Sequence, residues 1–340
     1  MDTQTSSPRS KFSRVGFAFA AACCIALLFG LLNVWLGSFQ GTEGTIGLLL
    51  RKNWFRWAMS FLPVYALALP AAVLIMKNMP ADPGEQKKIS PKGFFIAFLM
   101  CFPMMLGGNI LGTMLASLLT GGRSVNNVTE MISQRDPLVV LTAVIAAPLF
   151  EELVCRKCII DRLARFGEKT AVLVSALVFS LFHGNLYQIF YAFGIGLIFG
   201  YVYLRTRKIG YTMLMHFMIN FLSGVVAAGL MSFLDPDFAQ ILLSGDSEAL
   251  TVLIQQDPEA FATLMAGAIP LYLYSFLNMG LAIGGLVLLC MKKKEFFFLP
   301  APEETEKGQV LKTAFLNAGM ILFAVLSVIE MVIVLIRTCR

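Results

Sequence analysis

The sequence predicts an all-α fold, a polytopic bundle of about eight or nine transmembrane helices. Three observations carry this. Apolar residues make up 57% of the chain and charged residues only 14%, with a mean hydropathy of +0.75, whereas soluble domains carry roughly 25% charged residues. A bilayer core about 30 Å thick needs roughly 20 apolar residues per helix, and the chain supplies such runs about nine times. Finally, Lys and Arg fall mostly in alternate connecting segments, as the positive-inside rule requires of a membrane protein.

The runs span residues 15–38, 57–76, 94–120, 138–160, 170–185, 187–204, 210–233, 264–291 and 313–336. The first follows a basic leader, Arg9, Lys11 and Arg14. Its apolar stretch of about 24 residues exceeds the 7–15 of a signal-peptide core, and no small-x-small site ends it, so it reads as a retained helix. With the N-terminus placed in the cytoplasm, 20 of the 27 Lys and Arg residues lie on the inside. The net charge of +6 is then a topology signal, and nucleic acid is not an expected partner. The expected partner is the lipid bilayer. The count predicts a cell-membrane protein with its N-terminus in and C-terminus out; Arg51, Lys52 and Arg56 run against it on the outside.

Five regions follow. Residues 1–90 hold two helices and 91–235 a polar-studded core. Residues 236–263 form an acidic loop with five Asp or Glu and no Lys or Arg, and Asp235 precedes it. Residues 264–291 are a core-associated helix. Residues 292–340 are a linker, with Pro300 and Pro302, and a last helix that reads as peripheral. No internal repeat is visible. The seven cysteines suggest no disulfide framework. Cys155-x-x-Cys158 has no second pair and reads as helix filler. Gly196-x-x-x-Gly200 is a helix-packing signal. Asn127-Val128-Thr129 is a glycosylation sequon only in a cell that makes such glycans.

The chemistry lies in three runs. A charge at the centre of a membrane helix costs about 2.5–3.5 kcal/mol on insertion scales, so it needs a partner or a function. The run 138–160 carries Glu151-Glu152-x-x-x-Arg156. Glu152 and Arg156 share a helix face, about 6 Å apart along the axis, and can neutralise each other. Glu151 points about 100° away and is left to serve as a base. An interfacial pair with Arg156 snorkelling toward water is the bland alternative. The next run carries Phe179-x-x-x-His183, and 210–233 carries His216-x-x-x-Asn220. These are the only two histidines in 340 residues. A lone core histidine is more often just a satisfied hydrogen-bonder; two of them beside a Glu-Glu helix shift the balance toward chemistry. His216 and Asn220 share one face and can both donate toward one oxygen, as an oxyanion site requires. Counted from the inner face, His183 is about 13 residues deep and His216 about 6, a difference of roughly 10 Å that tilted helices must absorb. Glu330, in the last run, has no motif partner.

Glu151-Glu152-x-x-x-Arg156, Phe179-x-x-x-His183 and His216-x-x-x-Asn220, in this order on apolar helices, resemble the CPBP family. This is the CAAX-protease and bacteriocin-processing, or Abi, group of intramembrane endopeptidases. The resemblance covers roughly residues 90–235, the core of spans 3–8, and departs at Cys155, where many members carry an aromatic residue. It implies hydrolysis of a peptide bond inside the membrane. Glu151, helped by His183, activates water; His216 and Asn220 hold the oxyanion; Arg156 locks Glu152; and Phe179 packs beside His183. Two forms stay open: one divalent metal ion, zinc, held by Glu151, His183 and His216, or a metal-free glutamate mechanism. No His-Glu-x-x-His helix is present. The implied substrate is a peptide or protein, lipidated or membrane-embedded: a prenylated tail, a leader peptide or a membrane regulator. An ion-coupled transporter and a non-catalytic immunity or scaffold protein are the competing readings. Lack of repeats argues against the first, and the intact motif set against the second.

Overall fold

The computed structural model describes residues 7–126, 136–238, 241 and 247–339. The sequon at Asn127 and part of the acidic loop lie outside the described residues. The long helices are α1 (Pro8–Gly37), α2 (Asn53–Met76), α3 (Pro91–Thr120), α4 (Pro137–Phe166), α5 (Glu168–Phe182), α6 (Leu186–Thr206), α7 (Ile209–Met231), α8 (Ser247–Gln256), α9 (Pro258–Lys292) and α10 (Ala318–Thr338). Among the described residues there is no strand, only an isolated bridge between Ser124 and Cys339. The chain is a polytopic helical bundle.

Eight of these helices are long and apolar enough to cross a membrane: α1–α4, α6, α7, α9 and α10. The run at 170–185 forms α5, which has only 15 residues and is about 22 Å long, short of the 30 Å core. It stops at Phe182 because Gly184, at φ +55°, turns the chain, and Asn185 caps α6 by accepting from the Tyr187 N–H. The same logic starts other helices: Ser90, Asp136, Asp257 and Asn317 each accept a backbone N–H from the first turn they precede.

The helix ends sort into two layers. At one end, Arg9 donates to Leu316 O, Arg14 to Ile75 O and Arg162 to Met76 O. There too the Lys87 N–H donates to Thr206 O, and Arg165 and Arg205 pair with Glu303 and Glu168. This is the basic end. At the other end, Tyr187 meets Ser124, which bridges to Cys339. The start of α1 and the end of α10 therefore lie at opposite ends of the bundle, and among the described residues α5 adds a shorter traverse of the bundle to the eight long helices.

Most of α5 is buried, from Ala171 through Leu181 with few gaps, and α6 lies antiparallel to it. Gly196 and Gly200 permit this: a Cβ there would stand 3.1 Å from the Ala176 backbone and 3.0 Å from Val172. The last helix is tied in more closely than its linker suggests. Gly319 of α10 abuts the Ser13 backbone of α1, Phe323 packs on Phe19 at 5.7 Å between ring centres, and the Glu330 carboxylate presses on Gly184.

Of five widened, π-type helical turns among the described residues, three surround one cavity: Pro63–Ala68 in α2, Thr142–Ala146 in α4 and Phe221–Val226 in α7. A fourth, Leu153–Cys158, follows directly after Glu152, and the fifth, Leu311–Phe315, precedes α10 and does not line the cavity. Such turns are rare and frequent at functional sites.

Candidate active site

The cavity occupies about 440 Å³ between α2, α3, α4, α5, α6 and α7. Glu151, Phe179, His183, His216 and Asn220 all line it. Glu152 and Arg156 lie just behind, both fully buried. The seven residues singled out by the sequence thus converge on one region.

Arg156 is the anchor. Its Nε donates to Glu152 Oε2 at 3.1 Å, and one of its terminal nitrogens reaches the Ser175 hydroxyl and carbonyl at 3.2 and 3.3 Å. Ser175 is itself held by donating to Cys155 O at 2.6 Å. The guanidinium lies 4.3 Å above the Phe179 ring, a cation–π contact that a dry site strengthens. A buried carboxylate survives only with this kind of pairing.

Glu152 passes its second oxygen to the chemistry. Oε1 lies 3.2 Å from His216 Nδ1. A paired carboxylate accepts, so Nδ1 carries a proton and Nε2 is left to face the cavity. His216 Nε2 stands 4.0 Å from Glu151 Oε2. The ring of His216 therefore bridges the two carboxylates. Glu151 Oε1 accepts from the Tyr65 hydroxyl at 3.0 Å.

His183 is held by the last turn of the helix it ends. Its Nδ1 lies 2.7 Å from the Phe179 carbonyl; a carbonyl can only accept, so Nδ1–H donates and a neutral ring keeps a lone pair on Nε2. Among the described residues, only His216 brings a ring nitrogen within 4.0 Å of the Glu151 carboxylate. His183 shares the cavity with Glu151 and does not touch it. The Phe179 ring meets both imidazoles edge-on, His183 at 4.8 Å and His216 at 5.7 Å between centres, so the two histidines lie on either side of one ring despite the depth difference counted along the sequence.

Asn220 has a structural duty. Its Nδ2 donates to Ala143 O at 2.8 Å. In the widened turn the Ala147 N–H bonds Thr142 O. The next such bond would pair Pro148 with Ala143, and proline has no N–H. The Asn220 amide supplies the missing donor. Among the described residues its second N–H has no acceptor, and Asn220 lines the cavity.

The comparisons with known proteins agree on one group. The family model described as "Type II CAAX prenyl endopeptidase Rce1-like" matches residues 133–222, which include all seven residues. A Bacillus subtilis protein named as a candidate membrane peptidase, YdiL, is 26% identical over 217 residues, 59% of this chain and 81% of its own length. The membrane-embedded CAAX protease MroQ of Staphylococcus aureus is 25% identical over 177 residues, 48% of this chain and 72% of its own length. These matches support a CPBP family assignment. No solved structure matches. The CPBP assignment supports a protease embedded in a membrane.

Both histidines of this site present Nε2 and fix Nδ1 through a carbonyl or carboxylate, the pattern of metal-bound imidazoles. The spacing does not complete a site: among the described residues, no three His, Cys, Asp or Glu side chains come close enough to hold one ion.

Tyr65 escaped the sequence reading. A tyrosine in an apolar run looks like packing or an interfacial anchor, and its partner is 86 residues away. Gln188 and Tyr191, also on the cavity wall, had no motif either.

Proposed function

We propose that the chain is an intramembrane endopeptidase of the glutamate type. The observation that carries this is the His216 ring set between Glu152, 3.2 Å from Nδ1, and Glu151, 4.0 Å from Nε2, at the wall of a cavity.

Peptide hydrolysis needs an activated water and a stabilised oxyanion. The Glu151 carboxylate takes a proton from water while the His183 Nε2 lone pair orients that water. The hydroxide attacks the carbonyl carbon of the scissile bond. The developing oxyanion accepts from the second N–H of Asn220, while Glu152 accepts from His216 Nδ1–H and holds that ring beside Glu151. Arg156 keeps Glu152 ionised and in place. Glu151 then returns its proton to the leaving amine as the C–N bond breaks, and the carboxylate is regenerated. Tyr65 fixes which Glu151 oxygen faces the cavity.

The substrate class is a peptide or protein that reaches the membrane interior, lipidated or membrane-embedded. The test is Glu151→Gln. Loss of a general base costs about 10²–10⁴-fold, and the variant should still insert and fold. Comparing peptide termini in membranes holding the wild type or Glu151→Gln should reveal a terminus that needs the glutamate. Undiminished cleavage by Glu151→Gln would end this reading.

A further inference from the structure

The cavity is one-sided. His216 lies seven residues into α7 from the basic end, about 10 Å deep. Every other α7 residue lining the cavity lies farther from that end, out to Met231 at the last turn. The lining residues of α4 run from Glu151 back to Val140, near its start at the opposite end. On α6 they run from Ile195 to Gln188, again toward the far end, and past the end of α3 the lining reaches Asn126. On the basic side, by contrast, the site is closed by the fully buried Arg156 and the buried Phe179, Phe199 and Tyr203. The cavity therefore extends from the two carboxylates toward the end opposite the basic layer.

Its two walls differ in chemistry. One wall, from α4 and α7, is apolar with small side chains: Ala143, Ala147, Gly224 and Ala227. The facing wall carries amides and a phenol. Asn185 Nδ2 donates to Gln188 Oε1 at 3.2 Å, and Gln188 Nε2 donates to the Tyr191 hydroxyl at 2.8 Å. Tyr191 thus accepts and keeps its own O–H to give to an occupant. An extended peptide inside a membrane must have its N–H and C=O groups satisfied, each unpaired group costing several kcal/mol. The polar wall offers such bonds, and the small side chains opposite let a backbone approach.

We propose that the site is fed from the end opposite the basic layer, by an extended peptide segment that enters between α4, α6 and α7. By the positive-inside rule that end is the outer face. The substrate is then a membrane or translocated segment presented from the outside, and not a soluble tail presented at the basic face. This rests on the peptidase reading above.

The experiment reads access directly. Full-length Ser223→Cys, lining the cavity on α7, and Val140→Cys, at its far end, are compared with Lys87→Cys, on an exposed side chain of the basic end. Sealed vesicles of either orientation receive a membrane-impermeant maleimide, and labelling is read site by site by mass spectrometry. Ser223→Cys and Val140→Cys should label at least tenfold faster from the outer face, and Lys87→Cys from the inner. Labelling of the cavity cysteines from the same face as Lys87→Cys, or from neither face, overturns the proposal. Glu151→Gln in parallel separates the two claims: retained cleavage with the expected labelling removes the peptidase reading and leaves the route of access standing.

Discussion

Replacing Arg156 by methionine removes the cation from a carboxylate that has no access to water. Glu152 and Arg156 are both fully buried and 3.1 Å apart. Removing one partner of such a pair costs about 3–5 kcal/mol, because the other charge is left uncompensated. At about 2 °C per kcal/mol, the lower end for chains above 150 residues, the unfolding midpoint should drop by about 6–10 °C. The double variant Arg156→Met, Glu152→Leu removes both charges. It still strands the His216 Nδ1–H, which donates to Glu152, at a cost of about 1–3 kcal/mol for one unsatisfied donor. The double variant should therefore recover about 2 kcal/mol over the single one, the difference between those two costs. The assay is heating in detergent with a thiol-reactive dye, since Cys23, Cys101 and Cys155 are free and buried and react only on unfolding. A single variant that melts with the wild type, or a double variant less stable than the single one, would refute the argument that Arg156 is there to neutralise Glu152.

Three further outcomes are expected. Tyr65→Phe removes a hydrogen bond to a carboxylate, worth about 1.5–3 kcal/mol, so kcat should fall about 10–100-fold with KM little changed; an unaltered kcat would make Tyr65 mere packing. Gly184→Ala forces a side chain onto φ +55° and sets its Cβ 2.5 Å from the Glu330 carboxyl carbon. The backbone part alone costs about 1–2 kcal/mol; adding Glu330→Ala should relieve the clash but not that part, and equal midpoints for the single and double variants would show that Glu330 is not pressed on the turn. Dialysis against a strong chelator should leave cleavage intact, because no three ligands converge among the described residues; loss of activity restored by zinc would replace the glutamate mechanism with a metal one.

The groups that could be found in the sequence are those the membrane makes expensive. Two glutamates, an arginine and two histidines in apolar helices demand partners, and the four-residue spacing of Glu152 and Arg156 already names one pair. What stayed hidden depends on helices meeting in space or on backbone geometry. Tyr65 looks like any membrane tyrosine until α2 packs on α4. The run at 170–185 reads as a full crossing, but the helix stops at Phe182, since Gly184 and Asn185 turn and cap the chain. Asn220 shows both sides of this. Its spacing from His216 put it on the right face, yet the bond it makes goes to Ala143. Pro148 was the available clue: a proline three residues before Glu151 must orphan a carbonyl upstream, and in a dry helix some side chain has to answer it. The same amide therefore holds the broken helix that carries the glutamates and offers one proton to the cavity. Catalytic geometry and fold are joined at that residue, so truncating it should disturb both at once.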